Sequence, residues 1–334
     1  MKRQVKIFLM ILLFFIIIFL SLFAWGLFMP KQIPNNYVLK IRQGHGWSVV
    51  SRQLANDRVI YWRIPLTLAG RCITKDTPLK PGHYRFSGKV SAWDMIQHLY
   101  HDGPEKISVR LGEGWTIDKI REHINQNEFL EHKTKHLTNH ELLAEIDIDK
   151  VGGSLEGRLF PDTYIMDEGT DDLTLYRTAY SMMNKNLNSV WNKRDVGLPY
   201  ENPYEMLIMA SIIEKETNAA EDRPLVAAVF VNRLKIGMRL QTDPTVIYGM
   251  GKAYNGNITK ADLQRDTPYN TYTRKGFPPT PIASPSMASL QAAAHPADVD
   301  YLYFVGKGNG RSHFSSNLTD HNAAVRRYIL KIEP

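Results

Sequence analysis

Tyr204-Glu205-Met206-Leu207-Ile208-Met209-Ala210-Ser211-Ile212-Ile213-Glu214-Lys215-Glu216-Thr217 is the stretch from which the rest of this chain is read. It predicts an apolar helix that finishes in two acids. Asn202 and Pro203 precede it and supply a start signal, Asn202 as N-cap and Pro203 near N1. Met206, Met209, Ile212 and Ile213 recur at helical spacing and predict a buried face. Glu214 and Glu216, two positions apart, point ~200° apart around a helix and cannot both enter one pocket. Projected against the apolar positions, Glu216 falls ~40° from the centre of the buried stripe and Glu214 ~120° away. Glu216 is therefore expected to continue the core face, where desolvation raises its pKa and makes it a general acid near neutral pH. An ordinary helix end, with Glu216 at a solvated edge, fits the same periodicity.

The 334 residues leave room for two or three domains. The net charge is +7, from 41 basic and 34 acidic residues, and the basic residues are scattered. No Lys/Arg block or RNA-binding signature occurs, so nucleic-acid binding is not expected. A modest positive charge suits an anionic surface such as phospholipid or an acidic polymer, and solubility alone also accounts for it. Cys72 is the single cysteine, which excludes an intrachain disulfide and a cysteine-based zinc site. The 11 histidines form no His-Glu-x-x-His pattern. No metal and no cofactor is expected.

At the N-terminus, Lys2, Arg3 and Lys6 precede an apolar run from Ile7 to Met29, long enough as a helix to span ~30 Å of hydrocarbon. Ser21 to Phe28 offers no convincing small-x-small cleavage site, so an uncleaved anchor is expected rather than a signal peptide. Trp25 suits an interfacial belt. The basic flank predicts a single pass, with everything after Pro30 outside the cytoplasm. Residues 30–36 read as a short linker.

An internal similarity follows. Gly44-His45-Gly46-Trp47-Ser48-Val49 resembles Gly112-Glu113-Gly114-Trp115-Thr116-Ile117, and Gly88-Lys89-Val90-Ser91-Ala92-Trp93 is a weaker copy. The first two each follow a strand-like run, Tyr37–Arg42 and Ile107–Leu111, and place a Ser or Thr to cap an apolar helix, while the third is followed by Met95, Ile96 and Leu99. That layout fits a small LysM-like module over 37–105, a class that binds aminosugar polymers. A generic βα turn used several times fits equally. Residues 106–334 then form the remaining domain. Within it, 125–149 is polar and irregular, and 154–164 reads as a turn and strand start with no feature that marks a site. Leu173–Trp191 and Leu225–Lys235 read as helices, the second ended by Gly237. Gln241, Thr242, Asp243, Tyr269, Asn270 and Tyr272 lie in a long polar-aromatic region rich in proline. Tyrosine faces stack on sugar rings and amides bond hydroxyls, so these residues suit a sugar groove. A proline-rich surface loop is the alternative. Tyr301–Val305 predicts a buried strand, 306–312 a hairpin turn, and Asp320 or Asn322 a cap for the last helix.

Taken together, several stretches resemble the membrane-anchored endolytic murein transglycosylases of bacteria (MltG, YceG-like). They are Leu155-Glu156-Gly157, Ala210 to Thr217, Asn232-Arg233-Leu234, Tyr248 to Gly251, Tyr269 to Tyr272, Ala294-His295-Pro296, Tyr301 to Val305 and His313-Phe314-Ser315. The likeness is close over roughly 150–330 and loose before it. It departs at Arg158, where the family usually has an aromatic residue, and at Thr280 and Ser286, where glycines are usual. The resemblance implies an α+β fold with a transmembrane helix, a LysM-like module and a mixed α/β catalytic domain. It implies an endolytic peptidoglycan lytic transglycosylase that cuts the β-1,4 bond after N-acetylmuramic acid in nascent strands, leaves a 1,6-anhydro end and limits strand elongation. It implies an inner-membrane location with a periplasmic catalytic domain and penicillin-binding synthases as partners. The catalytic acid it implies is the glutamate followed by Thr, Glu216. One acid suffices where the muramyl C6 hydroxyl is the acceptor, because the substrate supplies its own nucleophile. The rivals are a muramidase using Asp243 or Glu214 as second carboxylate, and a non-enzymatic anchor that binds peptidoglycan.

Overall fold

The computed structural model describes residues 2–42, 44–75, 77–147 and 153–332. The end of the irregular stretch, 148–149, lies outside these. The chain is a mixed α+β protein that divides into two compact units. One comprises Met1–Ser108, Glu128–Glu131 and Ile165–Asp171, and the other Val109–Asn127, His132–Tyr164 and Asp172–Pro334.

The first unit begins with α1 (Lys2–Phe28), whose stretch Arg3–Phe28 is long and apolar enough to cross a membrane. β1 (Lys31–Ile41), α2 (Trp47–Asn56), α3 (Arg63–Thr74), β2 (Gly82–Val90) and α4 (Ala92–Gln97) follow. β1 and β2 pair antiparallel, from Lys31 opposite Val90 to Ile41 opposite Gly82, with an irregularity between Ile33 and Tyr37. The stretch expected as a linker is thus largely strand. Its backbone groups find partners on β2, which a sequence rich in proline and asparagine does not advertise. Leu39, Leu54, Leu66, Tyr84 and Met95 form the centre of this unit's core.

Trp47, from the first glycine-tryptophan motif, lies in that core. Its Nε1 donates to Thr74 Oγ1 at 3.0 Å, and a Cβ at Gly70 would stand 2.4 Å from its ring. The motif's cap is Gly46 without a side-chain bond, not Ser48. The weaker copy is the better-capped one: Ser91 and Asp94 form a reciprocal capping box at the start of α4. In the second unit the other copy behaves as expected, with Thr116 accepting from Lys119 N.

β3 (Lys106–Arg110) and β4 (Thr163–Asp167) make a second two-stranded sheet. The remaining helices are α5 (Ile117–Asn125), α6 (Asn139–Ile146), α7 (Asp172–Trp191), α8 (Pro203–Glu216), α9 (Arg223–Lys235), α10 (Asp243–Met250), α11 (Lys260–Gln264), α12 (Met287–Ala294) and α13 (Leu318–Tyr328). The hairpin β5 (Tyr303–Gly306) and β6 (Ser312–Ser315) closes through the predicted turn. Its strands are half-buried rather than buried. The cap of α13 is Asn317, which accepts from Asp320 N, rather than Asp320 or Asn322.

The second unit is organised around α8. Asn202 caps it by accepting from Glu205 N, and Pro203 occupies the first turn, as the sequence predicts. Every residue from Met206 to Glu214 is buried, because α7, α9, α10 and α12 pack around the helix. The expected single apolar stripe is therefore absent. Contrary to the projection, Glu214 is the more buried of the two acids and Glu216 is only half-buried. A helical projection assumes one buried face, and a helix enclosed by neighbours has none.

Candidate active site

Glu214 is held inside the fold. Its Oε2 accepts from Ser286 N at 3.0 Å, Ser286 Oγ at 2.6 Å and Ser289 Oγ at 2.6 Å. Ser286 is the N-cap of α12, so Glu214 fastens the end of α8 to the start of α12. All these bonds use the charge of Glu214 for structure. The serine at 286, unusual by the resemblance, has a clear role in that fastening.

Glu216 ends α8, and Thr217 leaves the helix in extended conformation. Burial is the main influence on its carboxyl and pushes the pKa up to about 7 from an ordinary 4.5. The nearby charge of Asp243 pushes the same way, while a hydrogen bond from Thr242 Oγ1 and the charge of Arg233 oppose it. A carboxyl in this state exists in both protonated and ionised forms near neutral pH, which suits a group that must give and then take a proton.

The hydrogen bond from Thr242 is built into the fold. Thr242 is the N-cap of α10, yet its hydroxyl makes no capping bond there and turns to Glu216 instead. Three threonines fix it. Thr242 N donates to Thr271 Oγ1 at 3.1 Å, Thr245 Oγ1 donates to Thr242 O at 2.8 Å, and Thr245 and Thr271 hydroxyls lie 2.9 Å apart. Arg233 is buried on α9 and donates to Leu240 O at 2.5 Å and Leu302 O at 2.7 Å. Two backbone carbonyls thereby hold a cation in the neighbourhood of Glu216 without neutralising either group.

The six expected groove residues separate into two sets. Thr242, Asp243 and Tyr272 gather around Glu216. The Tyr272 hydroxyl donates to Asp243 Oδ1 at 2.5 Å, and both side chains bear electrostatically on Glu216. Gln241, beside them, has a left-handed backbone (φ 50°) and an exposed side chain. Asn270 is buried, and its amide donates to the carbonyls of Asp262, Leu263 and Arg265 at 3.3, 3.1 and 2.7 Å. Those bonds occupy the amide in shaping the loop, so Asn270 is not free to bind sugar. Tyr269 packs its ring 4.8 Å from that of Tyr248 and shares a 2.9 Å hydrogen bond with Thr280.

Glu156 was not identifiable from local sequence. It is almost completely buried and accepts from Ile117 N at 3.0 Å, Gly157 N at 3.2 Å and Tyr248 Oη at 3.0 Å. Burial pushes its pKa up to about 7 against those three bonds, which lower it. It ties the start of α5 to α10, the helix whose first turn carries Asp243. The available signal was Glu156-Gly157: Gly157 has φ 73°, and a Cβ there would stand 2.4 Å from Pro281. Arg158 next to it donates to Tyr180 Oη at 3.2 Å and lies 4.9 Å over the Tyr204 ring. Its aliphatic stem and planar head thus occupy an aromatic setting. Among the described residues, no group of three or more His, Cys, Asp or Glu is placed to hold a metal.

The chain is 43% identical over 177 residues to an endolytic murein transglycosylase of Bacillus subtilis, covering 52% of this chain and 48% of that one. It is 30% identical over 289 residues to an endolytic murein transglycosylase of Streptococcus pneumoniae, covering 76% of this chain and 51% of that one. The chain spans about half the length of these curated relatives. A crystal structure of a YceG-like protein from Listeria monocytogenes is similar with a TM-score of 0.52 and 28% identity, over 86% of this chain and 98% of that one. The model of the YceG-like family matches residues 39–327, and on that match the chain belongs to the YceG-like family.

Proposed function

We propose that this protein is an endolytic lytic transglycosylase of peptidoglycan, with Glu216 as its single acid–base group. The carrying observation is the half-buried Glu216 at the end of α8, its pKa pushed up to about 7 and its carboxyl oriented by Thr242. The relatives named as endolytic murein transglycosylases supply the substrate class. Protonated Glu216 gives its proton to the glycosidic oxygen as the bond from that oxygen to C1 of the muramyl residue breaks. The C6 hydroxyl of the same sugar then closes on C1, and the ionised Glu216 takes the hydroxyl proton. The acid is regenerated, no water is consumed, and the products are a free hydroxyl end and a 1,6-anhydro end. An acceptor on the same sugar removes the entropic cost of positioning a second reactant. The carboxylates of Asp243 and of Glu216 itself counter developing positive charge at C1, and the Tyr272 hydroxyl orients Asp243.

In this reading α1 anchors the protein in the inner membrane by a single pass, and the chain beyond it is periplasmic. The β1–α2–α3–β2 arrangement is a LysM-like module that contacts glycan or positions the catalytic unit, residues 106–334. Synthases that extrude nascent strands are the partners, and the cut limits strand length. Mass spectrometry of products from uncrosslinked glycan tests the reaction. Fragments whose masses sum to that of the parent strand support transglycosylation. A sum greater by one water identifies a muramidase, for which Asp243 is the second carboxylate. Absence of cleavage by the folded protein leaves a binding scaffold.

A further inference from the structure

The end of α1 does not project freely from the first unit. Leu27 is buried in that unit's core, and Phe23 packs against it. Gly26 faces α3 so closely that a Cβ would stand 3.1 Å from Pro65 and 3.6 Å from the Trp62 ring. The Trp25 ring lies 4.8 Å from Tyr61 and the Phe28 ring 5.5 Å from Trp93. The Tyr61 hydroxyl donates to Pro30 O, and Lys31 donates to Ile60 O, both at 3.4 Å. Only the last two turns of α1 are engaged this way, while its earlier apolar side chains are exposed.

These contacts fix where the hydrocarbon boundary falls on the folded unit. The run Ile7–Met29 would be about 34 Å long as a helix, against ~30 Å of hydrocarbon. Trp25 to Met29 then lie at the interface, and the parts of the unit packed on them lie at the same depth. Those parts are rich in aromatic side chains, as interfacial belts are.

α3 has an unused apolar stripe in this position. Leu66, Gly70 and Thr74 face the core and Pro65 faces α1, while Ile64, Leu68 and Cys72 are exposed at i, i+4 and i+8. Arg58 and Arg63, just before and at the start of the helix, are also exposed. An apolar stripe flanked by cations, held at the end of a membrane span, matches an interfacial helix on anionic phospholipid.

We infer that α3 lies on the outer face of the membrane that α1 crosses, with Ile64 and Leu68 in the acyl–headgroup boundary and Arg58 and Arg63 at lipid phosphates. This rests on the reading of α1 as a membrane span. The first unit is then a membrane-docked collar in addition to any contact it makes with glycan, and its orientation to the bilayer is set by two elements rather than by one flexible tether.

The single native cysteine makes the test direct. The full chain is placed in nanodiscs of phosphatidylethanolamine and phosphatidylglycerol, with an environment-sensitive fluorophore on Cys72 or, in a Cys72→Ser background, on Leu68→Cys, Leu20→Cys or Val196→Cys. Lipids spin-labelled along the acyl chain act as quenchers, and thermal melting checks each fold. The expected result is strong quenching at position 20, several-fold more quenching at 68 than at the fully exposed 196, and an intermediate value at 72. Quenching at 20 with 68 equal to 196 overturns the docking and keeps the span. A blue-shifted but unquenched probe at 68 means that protein covers the stripe, and also overturns lipid docking. An unquenched probe at 20 removes the span, and the inference with it.

Discussion

Replacing Glu216 by Gln should damage activity and improve stability in the same protein. The amide keeps the shape of the side chain and can still accept from Thr242, but it has no proton to deliver. Loss of general acid–base catalysis costs ~10²–10⁴-fold in rate. The stability effect follows from linkage. The folded-state pKa of about 7 lies above the ordinary 4.5, so the folded protein holds a proton that the unfolded chain releases between those values. The contribution of Glu216 to stability is complete below pH 4.5 and is lost as pH rises through 7. At ~1.4 kcal/mol per pH unit, ionising the folded acid at pH 8 costs about 3 kcal/mol at most. Solvent screening of a half-buried group reduces this to about 1–3 kcal/mol. Glu216→Gln should therefore melt several degrees higher than the native protein at pH 8 and within a degree or two of it at pH 4.5, given ~2–4 °C per kcal/mol. Glu156 remains in both proteins, so the difference isolates Glu216. Melting curves at both pH values, beside anhydro-end formation on purified glycan, decide the matter. An active Gln variant refutes the mechanism, and a pH-independent melting difference refutes the assignment of the raised pKa.

Glu214→Ala should unfold more readily by about 2–4 kcal/mol, since it strands three buried donors at the start of α12; chemical denaturation measures it, and Glu214→Gln should retain far more activity than Glu216→Gln. Thr242→Val removes a bond that lowers the Glu216 pKa, so the alkaline limb of the pH–rate profile should move to higher pH; a downward or absent shift contradicts the orientation role. Glu156→Ala leaves Ile117 N, Gly157 N and the Tyr248 hydroxyl without their acceptor and should cost about 2–4 kcal/mol in urea unfolding. In the native protein the alkaline limb should fall tenfold per pH unit above about 7, because only protonated Glu216 starts the reaction.

Local signals read well where the physics is local. Asn202-Pro203 before an apolar run identified the start of α8, Gly237 the end of α9, and the 306–312 turn a hairpin, because caps and turns are decided by residues a few positions apart. The long apolar N-terminal helix was visible for the same reason. The faces of α8 were not, since its burial depends on four helices that arrive from distant sequence. The projection that singled out Glu216 placed Glu214 on the wrong side of the burial boundary.

The amino-acid sequence by itself determined the long apolar N-terminal helix, the helices α7, α8 and α9, and the resemblance that pointed to Glu216. Tertiary structure alone decided what each acid does. Glu214, Glu216 and Glu156 are chemically identical carboxyls, and their local sequences do not state their surroundings. Three donors at the start of α12 commit Glu214 to structure, the threonine that precedes α10 and the charges of Asp243 and Arg233 tune Glu216, and two backbone amides with Tyr248 confine Glu156. A carboxyl's proton affinity is set by desolvation and by partners within a few ångströms. Those partners lie between 1 and 92 residues away along the chain, and only folding brings the distant ones within reach.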